Sequence, residues 1–544
     1  MTPEALPPFL FVVNVLPVLV LAVLAAVPIA ARWIRVAQRE HYVPGWVSRM
    51  AGLWWRTEPA SLAVYLAAAA STAGALLLPV FVLGADPQAG LIVASVLPAL
   101  AIVLLSLLPF GLPIRGTSAK LALTARLKRL LVVWVVLHLG LGILCLYLLG
   151  PAGLALVLLA SAPLTDLALA IMAPIEKASS KKFVVAAQKR LGQVRPRVVA
   201  ITGSYGKTST KNYVAHLLSG TFTTVASPAS FNNRLGLSRA VNDKLVPGTE
   251  IFVAEMGIFG AGDIRELSTY FPSDIAAITV IGEAHLQRMG STDVIFRAKA
   301  EITERAGIVV LPIDDPRLAT LADACRLKGK RVVTVSCIHG TDADVVLSPA
   351  HDDASATITI GSGAEPVPVT VSGTGHAVNV AVAAGIALAA DVPVATIAAR
   401  LGDLPGSQHR AEVQQAPSGA LVIDDTYNAN PVGALRALEG AASLAAERGG
   451  PLVVVTPGMV ELGTVQVERN RAFGAAIGAA NGLLFAVART NRAALLAGYA
   501  STATSEAPGA VAVATREQGV RQAVEAAGER GVILYENDLP DHYP

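Results

Sequence analysis

The chain has 544 residues, of which 53% are hydrophobic and 15% are charged, and its mean hydropathy is +0.55. This composition is too apolar for an ordinary soluble protein, and the length exceeds that of one typical domain. The formal net charge of +3 needs no nucleic-acid partner to explain it. The three cysteines, Cys145, Cys325 and Cys337, are scattered and form no CxxC motif, so they predict neither a zinc ribbon nor a disulfide framework.

The excess of apolar residues lies in the first 176 residues. Five apolar stretches there are each about 20 residues long, enough to cross the core of a bilayer. They cover 9–31, 60–84, 90–112, 130–149 and 153–174. We therefore predict an α-helical transmembrane bundle of five helices over residues 1–176. The first stretch is not a signal peptide, because no basic segment precedes it and further spans follow.

Basic residues between these stretches predict the orientation. Lys and Arg follow spans one, three and five, and they are absent from the N-terminus and the other two loops. Because basic loops stay in the cytoplasm, we expect the N-terminus outside and everything after residue 176 in the cytoplasm, at the cytoplasmic membrane. Asp166, inside span five, is either a functional intramembrane carboxylate or a group that faces the bundle interior or reaches water.

A phosphate-binding loop follows the membrane segment. Residues 202–209 read TGSYGKTS, between an apolar run and a helix-like stretch. The glycines let backbone N–H groups surround phosphate oxygens, Lys207 adds a positive charge, and the Thr208 hydroxyl can bind Mg²⁺. The loop is shorter than the common Walker pattern, which has Gly where Ile201 stands. It therefore predicts the use of ATP but no particular reaction.

Residues 183–544 predict parallel α/β sheets, because apolar strand-like runs alternate with helix-like stretches. The predicted strands are 197–202, 250–255, 275–281, 307–312, 331–336, 420–424, 451–456, 482–487 and 531–535. The segment 404–410, LPGSQHR, is typical of a hinge. We therefore place one domain at 183–410 and a second at 411–544.

Polar motifs follow several predicted strands. Glu255 ends the second strand, and a carboxylate there, beyond a phosphate loop, is well placed to bind Mg²⁺. The other motifs are SFNNRLG at 230–236, IGEAHL at 281–286, KAE at 299–301, DDTYNANP at 424–431 and GMVELG at 458–463. Each alone has an ordinary explanation, such as a packed histidine, a solvated lysine or a turn formed by Asn and Pro.

In this order and spacing, the motifs resemble those of the Mur ligase family and, within it, the MurF type, over residues 195–470. The resemblance implies a P-loop central ATPase domain followed by a C-terminal Rossmann-like α/β domain. It also implies ATP-dependent amide bond formation. A substrate carboxylate would attack the γ-phosphate to give an acyl phosphate, and an amine would then displace phosphate.

The same resemblance implies roles for individual residues. Lys207, Glu255, His285 and Lys299 would be catalytic. The nucleotide would be bound by Gly203, Ser204, Gly206, Lys207, Thr208, Ser209, Arg410, Asp425 and Asn428. Two Mg²⁺ ions would be held by Thr208, Glu255, His285 and Lys299, the last matching the lysine that is carbamylated in this family. The substrates would meet Asn232, Asn233, Tyr427 and Asn430.

Several features depart from the family pattern. The membrane bundle replaces the UDP-binding domain, and Pro312 stands where the family has an asparagine near adenine. After His376 the expected asparagines are absent, with Asn379 out of register. An acidic stretch, ENDLPD at 536–541, replaces a basic one. The resemblance therefore leaves the acceptor and the amino compound open.

Two functions remain. One is a membrane-anchored amide ligase of cell-wall or envelope synthesis, joining an amino acid or peptide to a carboxylate acceptor that is UDP-linked or lipid-linked. The other is a nucleotide-binding regulatory or transport-linked ATPase that uses a ligase-like fold without ligation. Retention of Lys207, Glu255, His285 and Lys299 together favours the enzyme, because a regulatory protein needs no residues for a second metal.

Overall fold

A computed structural model of the protein describes residues 8–82, 87–114, 121–228, 231–349, 355–361, 364–370, 377–405, 412–426 and 429–544. The chain forms two compact units. Unit 1 contains Met1–Ser179 together with Leu539–Pro544, and unit 2 contains Ser180–Asp538.

Unit 1 is helical. Its helices are α1 (Pro8–Arg39), α2 (Trp46–Thr57), α3 (Pro59–Val82), α4 (Pro87–Leu107), α5 (Ala125–Leu149), α6 (Pro151–Leu159) and α7 (Ser161–Val194). Apolar side chains from these helices form one core, with Val36, Ala101, Leu130 and Ala155 among its fully buried members.

Three helices among the described residues are long and apolar enough to cross a membrane: Asn14–Arg39, Pro59–Leu78 and Ala125–Leu149. The predicted fifth span is not one straight helix, because α6 and α7 meet at 68°, and the pair counts as a fourth candidate only if taken together. Pro163 has no N–H for the Leu159 carbonyl and clashes with it, which explains the break. The predicted third span contains the shorter helix Ile92–Leu107. The five-span topology thus stays a prediction.

Asp166 caps a helix. Its carboxylate accepts hydrogen bonds from the backbone N–H groups of Gly45, Val47 and Ser48 at 2.8 to 3.1 Å, and from the Ser48 hydroxyl at 2.5 Å. These groups lie at the N-terminus of α2, where backbone N–H groups have no helical partner and a negative charge is favoured. Its contacts therefore give Asp166 a structural role within unit 1.

The segment Leu539–Pro544, which we call the tail, packs into unit 1 rather than with the C-terminal domain in which the sequence placed it. Arg35 is 1% exposed and donates to the Pro113 carbonyl and the Asp541 carboxylate. His542 Nε2 lies 2.9 Å from a Glu40 carboxylate oxygen. The Trp54 indole donates to the His542 carbonyl at 3.0 Å. The tail, which contains the last acidic residue of the 536–541 stretch, is therefore bound to buried groups of the bundle.

Unit 2 contains two sheets, and we call the parts built on them the first and second lobes. The first sheet comprises β1 (Arg197–Thr202), β2 (Thr224–Ala226), β3 (Ile251–Glu255), β4 (Ile275–Ile278), β5 (Ile308–Pro312), β6 (Arg331–Ser336), β7 (Val345–Pro349), β8 (Ser355–Ile360) and β9 (Val367–Thr370). Their spatial order is β2-β3-β1-β4-β5-β6-β7-β8-β9, and all pairs up to β7 are parallel.

Helices cover both faces of the first sheet. They are α8 (Lys207–Ser219), α9 (Arg234–Lys244), α10 (Asp263–Tyr270), α11 (Leu286–Met289), α12 (Thr292–Ala300), α13 (Pro316–Leu327), α14 (Ala377–Ala389) and α15 (Val394–Arg400). Later strands pair with β1 on both of its sides, β3 on one side and β4 on the other. A crevice is therefore expected beyond the C-terminal end of β1, which is where ligands bind in open α/β sheets.

The second lobe has β10 (Glu412–Gln415), β11 (Leu421–Asp425), β12 (Leu452–Thr456), β13 (Leu483–Val487), β14 (Ala510–Val513) and β15 (Val532–Glu536), in the order β10-β11-β15-β12-β13-β14. Among the described strands of this second sheet, only the β10–β11 pair is antiparallel. Helices α16 (Pro431–Arg448), α17 (Gln466–Ala479) and α18 (Arg492–Thr502) cover one face, and α19 (Arg516–Ala527) covers the other.

All nine predicted strands are present, within a few residues of their expected bounds. The second sheet begins after the segment 404–410, which lies mostly outside the described residues. The structure thus confirms an α-helical bundle of apolar helices followed by two α/β lobes.

Candidate nucleotide and ligation site

The phosphate loop connects β1 to α8 and depends on two glycines. Gly203 has φ +156° and Gly206 has φ +76°, and neither has room for a side chain. A Cβ on Gly203 would lie 1.8 Å from Thr279 Oγ1, and one on Gly206 would lie 2.0 Å from Asn379 Oδ1. Thr279 Oγ1 also donates to the Tyr205 carbonyl at 2.5 Å. The loop is therefore held in an open curve that backbone N–H groups can line.

Lys207 is the first residue of α8, and its ammonium group bends back over the loop. Its Nζ donates to the Gly203 carbonyl at 2.7 Å and to the Ser204 carbonyl at 3.3 Å. The Ser204 hydroxyl exchanges hydrogen bonds with Gly282, at 3.1 Å to its carbonyl and 2.9 Å from its N–H. This geometry fits the sequence prediction of a phosphate cradle with a positive charge beside it.

Glu255 is brought to the loop by β3, the neighbour of β1. Its carboxylate accepts from Thr208 Oγ1 at 2.9 Å and from Asn232 Nδ2 at 3.1 Å, and Lys211 Nζ lies 3.5 Å from it. The side chain is 1% exposed. A carboxylate and a hydroxyl are oxygen ligands of the kind Mg²⁺ prefers, so this pair fits the predicted magnesium position.

Lys299 lies at the same loop although it comes 92 residues after Lys207. It is 1% exposed, and its Nζ donates to the Gly203 carbonyl at 2.9 Å. Burial, followed by the charge of Lys207, lowers the pKa of Lys299 well below its ordinary value. A neutral amine is the form that reacts with carbon dioxide, so the environment fits the predicted carbamate.

His285 has a different partner from the one predicted. Its Nδ1 lies 2.8 Å from Glu461 Oε2 in the second lobe, and Arg288 Nη2 lies 3.3 Å from Glu461 Oε1. The Glu461 carbonyl also accepts from the Gln287 N–H at 2.9 Å. Burial alone raises the pKa of Glu461, but the His285 hydrogen bond and the charges of His285 and Arg288 lower it to about 2.

Both members of this contact have unusual backbones. His285 has φ +62° and Glu461 has φ +63°, a region that non-glycine residues rarely adopt. A second ion pair lies beside it, where Arg469 grips Glu283 with its Nη2 2.7 Å from Oε1 and its Nε 2.9 Å from Oε2. The two lobes are thus joined at the ligand edge of the first sheet by charged, geometrically specific contacts, which we call the inter-lobe latch.

Two predicted substrate residues act as helix caps. Asn233 Oδ1 accepts from the Gly236 N–H at 2.9 Å at the start of α9. Asn430 Oδ1 accepts from the Gly433 N–H at 2.9 Å at the start of α16. These bonds fix the two loops at the helix starts. They do not test the predicted roles of Asn233 and Asn430 in substrate binding.

The C-terminal edge of the second sheet carries Asp425, paired in register with Glu536. Glu536 is 1% exposed, and burial, then the charge of Asp425, raises its pKa well above the ordinary value. Arg410, Tyr427 and Asn428 lie outside the described residues, so their predicted roles stay predictions.

A cavity of about 490 Å³ adjoins the phosphate loop through Thr279. Its other walls include Ile281, Pro312, Asp314, Arg317 and Val378. The size and mixed lining suit a flat heterocycle with a few polar contacts. Pro312, noted in the sequence as a departure from the family, forms part of this wall.

Comparison with known proteins agrees with this geometry. The profile of the Mur ligase middle domain matches residues 201–387, and that of the Mur ligase glutamate ligase domain matches 409–535. Together they cover more than half of the chain. The chain belongs to the Mur ligase family.

The proteins similar to this chain include a ligase of known name and a solved MurF structure. The UDP-N-acetylmuramoyl-tripeptide–D-alanyl-D-alanine ligase of Mycobacterium leprae is 36% identical over 248 residues, which are 43% of this chain and 48% of that relative. The chain thus matches about half of that relative's length. MurF from Acinetobacter baumannii superimposes with a TM-score of 0.55 at 26% identity, covering 65% of this chain and 76% of that one.

A further solved structure shares the fold. MurF ligase from Thermotoga maritima, in complex with ADP, has a TM-score of 0.55 at 24% identity and covers 66% of this chain and 80% of that one. Both profile matches lie within unit 2.

Sequence reasoning missed three groups in this Mur ligase site. Asn379 was set aside as out of register, yet its buried Oδ1 faces Gly206 and has no hydrogen-bond partner among the described residues. Glu461 and Arg469 were given no role, although the GMVELG motif contained the first of them. The available signal was Glu461 itself, an acidic residue in a motif that otherwise consists of apolar residues and glycines.

Among the residues that the structure describes, no three His, Cys, Asp or Glu side chains converge as metal ligands. Glu255 and Lys299 both have contacts at the phosphate loop, whereas the His285 ring contacts Glu461. The two-metal arrangement therefore stays a prediction.

Proposed function

We propose that this chain is a membrane-anchored, ATP-dependent amide ligase that joins an amino acid or peptide to a carboxylate acceptor in cell-wall or envelope synthesis. The observation that carries the proposal is the convergence of three groups on one phosphate loop. Lys207 and the buried Lys299 both donate to the Gly203 carbonyl, and Glu255 accepts from Thr208 directly after the loop, although Lys207, Glu255 and Lys299 are far apart in the chain. A nucleotide-binding regulatory domain has no need of a buried lysine with a lowered pKa at this place.

ATP is the co-substrate in this proposal. Its phosphates would lie along the loop, and its base would occupy the cavity lined by Pro312 and Arg317. An acceptor carboxylate oxygen attacks the γ-phosphorus, the bond to the β–γ bridging oxygen breaks, and ADP leaves. The amine then attacks the acyl carbon, phosphate leaves with the former carboxylate oxygen, and the amine loses a proton.

The residues of this chain contribute mainly charge and position. Lys207 and the backbone N–H groups of the loop neutralise the charge that moves onto the departing ADP. Thr208 and Glu255 would hold Mg²⁺, which supplies further neutralisation of the phosphates when bound. Lys299, neutral or carbamylated, would orient the γ-phosphate group of ATP. The inter-lobe latch would exclude water from the acyl phosphate, which water would otherwise hydrolyse before the amine reacts.

The membrane part of the proposal rests on the three apolar helices and the basic segments that flank them. In the predicted orientation the N-terminus is outside, and the ligase lobes are in the cytoplasm with ATP. A ligase for a wholly soluble acceptor would need no multi-helix bundle. We therefore propose that the acceptor is lipid-linked rather than free in solution.

The test is release of ADP and phosphate by the intact protein in lipid nanodiscs, against a panel of amino acids, dipeptides and envelope carboxylates. We expect release that depends on both an amine and an acceptor, and that disappears in Lys207→Met but not in the surface control Lys189→Met. ATP hydrolysis that ignores both substrates would instead support the regulatory or transport-linked ATPase.

A further inference from the structure

Unit 1 contains a long apolar groove between α1, α5 and α6. It encloses about 490 Å³ and is lined by Ala22, Ala26 and Ala30 of α1, Leu131 and Gly142 of α5 and Leu154 of α6, among others. Small side chains four residues apart on α1 form its floor. The groove is therefore built into the helix packing, because larger residues at these positions would fill it.

The groove is as long as a bilayer core is thick. On α5 its lining runs from Leu127 to Leu146, a rise of about 28 Å at 1.5 Å per residue. The apolar core of a bilayer is about 30 Å thick. A single extended hydrocarbon chain matches this length, whereas a compact ligand would leave most of it empty.

The charge of the groove is confined to one end. Lys128 is the only Lys, Arg, Asp or Glu among the described residues that line it. The neighbouring Arg126 and Arg129 instead meet Glu176, at 3.7 and 2.7 Å. The segment just before α5 contacts the end of α1, where Gln38 Nε2 donates to the Ala122 carbonyl at 2.8 Å. This end faces the cytoplasm in the predicted orientation.

The middle of the groove is aromatic and apolar. The ring of His138 stacks on that of Trp134 with 3.6 Å between centroids, and its Nδ1 lies 2.9 Å from the Trp134 carbonyl. These two rings form a flat wall between the charged end and the far end. The groove thus combines an apolar length with one terminal cation, which is the complement of a lipid that has an anionic head group.

We propose that this groove binds the hydrocarbon chain of the acceptor, a lipid with a phosphate head group that lies at Lys128. The inference rests on the proposed ligase function and specifies its acceptor as a long-chain lipid phosphate derivative. The lipid would be held by its chain, leaving the groups beyond the phosphate on the cytoplasmic side.

The experiment measures binding separately from catalysis. The intact protein in nanodiscs, without ATP or amine, is irradiated with a diazirine-labelled long-chain lipid monophosphate, and labelled peptides are identified by mass spectrometry. We expect adducts on α1, α5 and α6. Ala26→Trp should reduce them at least tenfold, while Val132→Trp, on an exposed part of α5 outside the groove, should not.

A second part of the experiment tests recognition of the head group and does not depend on a bulky substitution. Lys128→Glu should weaken labelling by the monophosphate about tenfold, since each cation near a membrane surface contributes several-fold to the binding of an anion. The same variant should leave labelling by the matching long-chain alcohol unchanged. Lys181→Glu removes a cation outside the groove and should have no effect.

Equal labelling by the monophosphate, the alcohol and a labelled bulk phospholipid would mean that ordinary bilayer lipid fills the groove, and would overturn the proposal. So would labelling that survives Ala26→Trp. If the groove is labelled as expected but no amine-dependent phosphate release is found, the lipid site holds and the ligase function fails. If soluble acceptors are ligated and the groove is not labelled, the ligase function holds and the lipid site is refuted.

Discussion

Replacing Glu461 by Gln tests whether the inter-lobe latch stabilises unit 2 and orients His285. The side chain keeps its size but loses the charge that holds His285 and Arg288, and Arg288 is only 6% exposed. A pKa of about 2 against an ordinary 4.5 corresponds to about 3 kcal/mol. Because Glu461 is a quarter exposed and glutamine retains a hydrogen-bond acceptor, we expect a loss of about 1–2 kcal/mol.

The assay is hydrogen exchange at neutral pH, read at the Gln287 amide, which donates to the Glu461 carbonyl. Tryptophan fluorescence cannot serve here, since all five tryptophans lie in unit 1. A loss of 1–2 kcal/mol accelerates exchange about five- to thirtyfold. The control is Glu468→Gln, because Glu468 is 71% exposed beside Arg469 and should change exchange little.

The pH dependence gives an independent check. A depressed carboxylate pKa contributes stability that is fully present above the unfolded value near 4.5 and is lost as pH falls toward 2. The parent protein should lose this protection across that window, and Glu461→Gln should not. If Glu461 also fixes the tautomer of His285, turnover should fall about ten- to a hundredfold. Unchanged exchange and turnover in the variant would refute this account of the latch.

Four further results are expected. Lys299→Ala should abolish turnover, and partial rescue by acetate or formate would identify a carbamate, whereas full activity would remove Lys299 from the mechanism. Gly206→Ala should abolish nucleotide binding, because its Cβ would lie 2.0 Å from Asn379 Oδ1; partial recovery with Asn379→Gly added would assign the loss to that contact. Asp541→Asn leaves buried Arg35 without its carboxylate and should destabilise unit 1 by about 3 kcal/mol, measured by tryptophan fluorescence during denaturation with Glu529→Gln as control. A reporter fused after residue 200 should be cytoplasmic; a periplasmic or extracellular signal would overturn the predicted orientation.

The sequence predicted the parts of the molecule that hydrophobic pattern and local motif determine. The buried parallel strands were found because each is a continuous apolar run, such as Ile251–Glu255. The strands it missed lack that pattern: β2, at one edge of the first sheet, has only three residues, and β8, near the other edge, alternates polar and apolar residues. The phosphate loop was evident because its glycines, lysine and threonine are close together in the chain.

Other features depend on residues far apart in the chain. His285 and Glu461 are 176 positions apart, and their contact follows from how two lobes pack, which no local spacing encodes. Asp166 was assigned to a membrane span because its neighbours are apolar, yet the helix break near Pro163 lets it reach the start of α2. The acidic stretch at 536–541 suggested a change in substrate recognition, whereas its last carboxylate, Asp541, pairs with the buried Arg35 of the bundle.

The tail also has a consequence for biosynthesis. Asp541 and His542 are made after all 359 residues of unit 2, Ser180–Asp538, so at about 5–20 residues per second they follow the last bundle helix by roughly 20 to 70 s. During that interval Arg35 and Glu40 lack their tail partners. A ribosome that stops within unit 2 therefore releases a bundle in which the buried Arg35 lacks the Asp541 carboxylate. Pairing of the tail with the bundle thus occurs only in chains whose translation has passed through both lobes, and quality-control proteases have a physical basis for distinguishing them from truncated products.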